Sequence, residues 1–92
     1  MYILKCSDET FYVGSTRDLH GRFEMHQAGK GSAYTRRRRP VTLVYAQQFE
    51  SVAEAFALEK QVQGWSHAKR QALIDGDFER IKQLSKKKFP KR

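Results

Sequence analysis

Two short apolar runs, YILKC at 2–6 and FYVG at 11–14, stand only four residues apart, with SDET between them. Both are rich in aromatic and branched residues and are bounded by turn formers, the pattern of strands. Runs so close in sequence pair as an antiparallel hairpin. Each run carries a tyrosine, Tyr2 and Tyr12. Side chains alternate along a strand, so the length of the connection decides whether those phenols share a face. A two-residue turn at Asp8-Glu9 would pair Cys6 with Phe11 and place them on opposite faces. An odd loop or a bulge would bring them together.

The rest of the chain reads as helices around one more strand. TRDLHGRFEMHQAG (16–29) is expected to be helical, with Asp18 as N-cap, Leu19 and Phe23 on one face, and Gly29 as the stop. KGSAYTRRRRP (30–40) reads as a loop. VTLVYAQQF (41–49) reads as a third strand, with Val41, Leu43 and Tyr45 alternating. Ser51-x-x-Glu54 is a capping box, and Ala55, Leu58 and Val62 follow at helical spacing. Gly64 and Trp65 interrupt that stripe. Ser66 caps a further helix to Ile74, stopped near Gly76, and Asp77 caps a last one with Phe78, Ile81 and Leu84 inward. The order implies an α+β fold: a small single domain with a three-stranded antiparallel sheet flanked by helices.

At 92 residues the chain has room for one domain and one modest core, and 39% hydrophobic content separates it from a disordered tail. No apolar run reaches the roughly 18–20 residues of a membrane span, and no charged lead precedes an apolar segment. The single cysteine, Cys6, cannot form an internal disulfide, which fits the reducing cytoplasm.

The net charge is +8, and its distribution is uneven. Residues 1–30 carry four basic and four acidic groups; residues 41–85 carry five and six. The excess lies in RRRR at 36–39 and in KKKFPKR at 86–92. Two basic blocks on a balanced body favour a polyanion, nucleic acid above a membrane surface or an acidic protein. The bland alternative is a solvated loop and a frayed tail.

Candidate chemistry is sparse. The three histidines are scattered and no close Cys/His set suggests zinc. Residues 12–26 differ: Arg22 and His26 lie four apart, so they share a helix face just after the Tyr12 strand. A guanidinium is a good phosphate clamp. An ordinary amphipathic helix with an exposed Arg and His explains the same spacing. Glu59, beside the Ala55–Leu58–Val62 stripe, could hold a hard cation, or simply face solvent.

YIL at 2–4, YVG at 12–14, Arg22, His26 and Glu59, in that order, resemble the GIY-YIG nuclease family. FYVGST, SAYTRRRRPVTLVY and LEKQVQGWSHAKR are similar to its small stand-alone, excinuclease-like members, over about residues 1–75. The resemblance implies a nuclease domain over 1–85 with a basic tail at 86–92. It implies Tyr12 as general base, Tyr2 as a positioning or relay group, and Arg22 on the scissile phosphate. His26 matches a histidine of several branches, and Glu59 the carboxylate that holds one Mg²⁺ or Mn²⁺. Nucleic acid, DNA in the first place, is then the partner, with no membrane role. Arg36, Arg37, Arg38, Arg39, Lys69, Lys86, Lys87 and Lys88 are candidate phosphate contacts.

Phosphoryl transfer needs positioning and charge neutralisation more than covalent help, and the set is compatible with that. A tyrosine, with an ordinary pKa of about 10, needs a nearby cation to serve as base; Arg22, the metal and Lys5 across the hairpin are candidates. A shared site also requires the hairpin to have an odd loop or a bulge. Three departures bear on affinity and activity. The first motif lacks its glycine, Ser15 stands where some branches have lysine, and Gln63 replaces a lysine before GWS. A non-catalytic nucleic-acid-binding module is the alternative, and a protein-interaction domain the third reading.

Overall fold

The computed structural model describes residues 1–86. Three strands, β1 (Tyr2–Lys5), β2 (Phe11–Gly14) and β3 (Thr42–Ala46), form one antiparallel sheet in the order β2-β1-β3. Between β2 and β3 come α1 (Leu19–Gln27) and α2 (Ala33–Arg36); after β3 come α3 (Val52–Gln63), α4 (His67–Asp75) and α5 (Phe78–Lys86). The α+β expectation holds. The central strand β1 is covered on both faces, and Tyr2, Ile3 and Leu4 are buried.

The hairpin loop is odd. Lys5 pairs with Phe11, and the Cys6 amide donates to the Thr10 carbonyl (2.8 Å), so the loop is Ser7–Glu9. Glu9 adopts φ 74°, the left-handed residue that closes a three-residue hairpin loop. Asp8 Oδ1 accepts from the Thr10 amide (3.1 Å) and hydroxyl (2.6 Å), which pins the turn. Tyr12 therefore lies opposite Leu4, and Tyr2 opposite Gly14. Both phenols project from one face.

Each face has its own core. Ile3, Phe11 and Val13 pack with Met1, Val62 and Leu73, and Leu58, Trp65, Ile74 and Ile81 close over them from α3, α4 and α5 and the turn between. On the other face Tyr2, Leu4, Cys6 and Val41 are covered by Leu19, Phe23 and Tyr34, with Tyr12 beside them. The helices start where the sequence caps them. Asp18 Oδ1 accepts from the Gly21 amide (3.0 Å), Ser51 Oγ from Ala53 and Glu54, Ser66 Oγ from Lys69, and Asp77 Oδ1 from Arg80. Gly76 ends α4 at φ 72°, a conformation that costs glycine little. Arg70 reaches back from α4 to the Val62 and Gln63 carbonyls and caps α3.

Four expectations need correction. α1 is shorter than 16–29, because Thr16 Oγ1 takes the Asp18 amide in a turn before the helix. The segment 30–40 contains α2, nucleated by Ser32, whose Oγ accepts from the Thr35 amide (3.1 Å). The simple alternation of Val41, Leu43 and Tyr45 is broken by an irregularity: Leu4 pairs with Leu43 but Ile3 with Tyr45. Val41 then serves one core while Val44 and Tyr45 serve the other. Phe78 is 64% exposed rather than inward; Ile81 is the α5 residue that packs. Lys87 and Lys88 of the expected tail, and the Lys86 side chain, lie outside the described residues. Among the described residues no helix is long and apolar enough to cross a membrane.

Candidate active site

The α1–α2 face of the sheet carries a cluster of rings. The Tyr2 and Tyr12 centroids are 6.4 Å apart, and His26 of α1 lies 5.9 Å from Tyr2 and 5.0 Å from Tyr12. The Tyr2 hydroxyl and His26 Nε2 are 3.0 Å apart. Two glycines make that fit possible. A Cβ at Gly14 would come within 2.7 Å of the Tyr2 hydroxyl, and one at Gly31 within 2.3 Å of His26 Nδ1. Neither ring has space for a neighbouring side chain there.

His26 is not an exposed residue of an ordinary amphipathic helix; it is fully buried. Leu19 and Phe23 pack beside it, so the inner face of α1 includes the imidazole. Burial, with the Arg22 guanidinium nearby, holds His26 below its ordinary value, so it is neutral at pH 7. Burial and the neighbouring Tyr12 push the Tyr2 hydroxyl up to about 12, while Arg22 pulls the other way. Tyr2 thus keeps its proton throughout the physiological range. Tyr12 is the more accessible of the two phenols.

Glu59 comes from α3, around the β2 edge of the sheet. Ser15 Oγ donates to its Oε1 (2.7 Å), and Gln63 Nε2 to its Oε2 (2.9 Å). Gln63 also donates to the Val13 carbonyl (3.2 Å), which ties the carboxylate to the strand edge. Its charge is felt at the Tyr2 hydroxyl and at the Met1 ammonium. Sequence reasoning treated Ser15 and Gln63 only as departures from lysine. Their spacing to Glu59 offers a signal for Gln63 alone, four residues on along one helix face.

No group of three or more His, Cys, Asp or Glu is placed to share an ion among the described residues. The donor set at Glu59 suits a hard cation that keeps most of its water and takes one or two carboxylates plus phosphate oxygens. Each carboxylate oxygen accepts one protein hydrogen bond, which leaves lone pairs for a cation, and both donors are neutral. Lys5 does not serve this face: it alternates away with Ile3 and pairs with Glu9 (2.9 Å).

The basic candidates divide. Arg38 stacks over Tyr34 (3.8 Å) and pairs with Asp8 (2.9 Å), and Arg39 donates to the Arg36 and Gln27 carbonyls. Both brace the loop. The Arg36 and Arg37 side chains are exposed and make no hydrogen bond or ion pair among the described residues. Lys69 lies over Trp65 (4.4 Å). A cleft of about 490 Å³ opens beside Tyr2, between Met1, Arg17, Leu19 and Gln47. Tyr12, Arg22 and Glu59 do not line it; all three are half-buried.

The GIY-YIG catalytic domain family matches residues 1–72, the span that holds both tyrosines, Arg22, His26 and Glu59. The chain belongs to the GIY-YIG family. It is 40% identical over 75 residues to a UPF0213 protein of Staphylococcus haemolyticus, covering 82% of this chain and 92% of that one. A UPF0213 protein of Staphylococcus aureus is 40% identical over 74 residues, covering 80% and 90%. No solved structure matches the chain. The GIY-YIG assignment makes the domain a member of a nuclease family, with nucleic acid as the implied substrate.

Proposed function

We propose that this GIY-YIG domain is a metal-dependent endonuclease that hydrolyses DNA phosphodiesters, with a role in DNA repair or processing. One observation carries the reading: two tyrosines from adjacent strands share a face with His26, within reach of Arg22 and of the Glu59 charge. Tyr12 acts as general base and takes a proton from the attacking water. Arg22 holds the equatorial oxygens of the scissile phosphate. Glu59 holds one Mg²⁺ or Mn²⁺, which supplies charge neutralisation at the phosphate and the leaving oxygen. Tyr2, its proton retained, orients the phosphate end of the site through His26. Water adds to phosphorus as the bond to the leaving oxygen breaks. Arg36 and Arg37 grip the backbone outside the site, without sequence preference.

The exposed Arg36 and Arg37 also favour a second reading, a binding module without strong catalysis. Cleavage of plasmid and branched DNA in Mg²⁺, Mn²⁺ or EDTA separates the two. Metal-dependent cutting by the wild type, lost in Glu59→Ala and Tyr12→Phe while both still fold and bind, supports the nuclease. Equal binding by all three proteins with no cutting of any substrate leaves the binding module.

A further inference from the structure

His26 Nδ1 lies 2.8 Å from the hydroxyl of Thr35, a residue as completely buried as the histidine itself. Thr35 belongs to α2 and lies in the SAYTRRRRPVTLVY stretch, with no role in the site assigned to it by the resemblance. Its Oγ1 also lies 3.0 Å from Ser32 Oγ and donates to the Ser32 carbonyl at 3.4 Å. The chain Tyr2–His26–Thr35–Ser32 is thus continuous, and it allows two proton arrangements.

The Ser32 carbonyl decides between them. A carbonyl oxygen only accepts, so the Thr35 hydroxyl proton points at it (3.4 Å) and the Oγ1 lone pairs are left to face His26 Nδ1 (2.8 Å). A neutral imidazole then carries its proton on Nδ1 and gives it to Thr35 Oγ1, which leaves Nε2 as an acceptor. The Tyr2 hydroxyl, 3.0 Å away, donates to Nε2. The opposite arrangement would turn the Thr35 proton to Nδ1 and take it from the Ser32 carbonyl.

We propose that Thr35 is a positioning residue that fixes the buried His26 as its Nδ1–H tautomer and thereby directs the Tyr2 proton away from Arg22. The kinetic part of this inference rests on the nuclease reading; the tautomer does not. With Tyr2 so oriented, Arg22 is left free of a competing donor and presents its remaining N–H groups to a phosphate. Gly31 belongs to the same device, because any side chain there would displace Nδ1 from Thr35.

Long-range ¹H–¹⁵N NMR of the His26 ring near pH 7 is the test, on wild type, Thr35→Val, Thr35→Ser and Tyr2→Phe, with circular dichroism as the folding control. Wild type, Thr35→Ser and Tyr2→Phe are expected to show Nδ1 protonated; Thr35→Val is expected to lose that preference. On a cleaved substrate, Thr35→Val is expected to lower kcat about tenfold with KM little changed, and Thr35→Ser to restore it. A wild-type ring protonated on Nε2 overturns the proposal. So does a Tyr2→Phe ring that switches, which would make Tyr2 the fixing residue and would answer even if Thr35→Val does not fold. If no substrate is cut, the nuclease reading fails while the ring spectrum still decides the tautomer.

Discussion

The two faces of this small sheet are built from the same strands to opposite ends. The face under α3, α4 and α5 is packed with Ile3, Val13, Val62 and Leu73, and its contacts are apolar and non-directional. The face under α1 and α2 buries Tyr2, His26 and Thr35, and hydrogen bonds between those side chains help to hold it. The larger apolar cluster lies on the first face, and the proposed chemistry draws on the second together with Glu59 at the β2 edge. The central strand serves both, alternating Ile3 to one and Tyr2 and Leu4 to the other. A polar network is safe there because every buried side-chain polar atom among the described residues has a partner. Perturbations should therefore separate cleanly by face.

The largest expected effect falls on activity alone. Glu59→Ala and Tyr12→Phe should each reduce metal-dependent cleavage by about a thousandfold, while thermal unfolding stays close to wild type. A loss of folding in either, measured by circular dichroism, would break the separation. The converse is Ile3→Ala. Removing a fully buried side chain should cost about 3 kcal/mol in urea unfolding, yet leave the cleavage rate per folded molecule unchanged.

The chemical face should reveal itself at high pH. Tyr2 is held at about 12 in the folded protein, against about 10 when unfolded. Its contribution is fully present below pH 10 and is lost as pH rises toward 12. Between those values wild-type stability should fall by about 1.4 kcal/mol per pH unit more than that of Tyr2→Phe. Parallel curves for the two proteins would mean that Tyr2 does not hold its proton as described. At the exposed end of α2 the expected effects are smaller still. Arg36→Gln and Arg37→Gln should each lower the salt slope of DNA binding by about 1 and leave the rate of bound substrate unchanged. Smallest is Phe78→Ser, which should shift unfolding by no more than about 0.5 kcal/mol because that ring meets solvent.

Local signals were legible in the sequence wherever the physics is local. Asp18, Ser51, Ser66 and Asp77 cap the helices they announce, and Gly76 stops α4, because a cap depends on residues two or three positions away. Requiring both tyrosines on one face left an odd loop or a bulge, and the hairpin has the odd loop. What stayed hidden depends on partners far along the chain. Burial of His26 requires Tyr2 and Thr35, from β1 and α2, to close around it. The Ser15–Glu59 bond spans 44 positions. The break in β3 register arises in pairing with β1, since Leu43 and Tyr45 alternate correctly when read alone. Phe78 misled because helical spacing gives the direction of an apolar stripe but not whether anything lies across from its first residue.

The Ser7–Glu9 loop has a consequence for how such a domain can vary. Because a strand repeats every second residue, one residue gained or lost between β1 and β2 would turn one of the two phenols to the face away from His26, whereas two would leave both in place. Length change at this tip is thus quantised by parity: related chains can tolerate even insertions there, and a single-residue indel would act as an on–off mutation many ångströms from the tyrosines it governs.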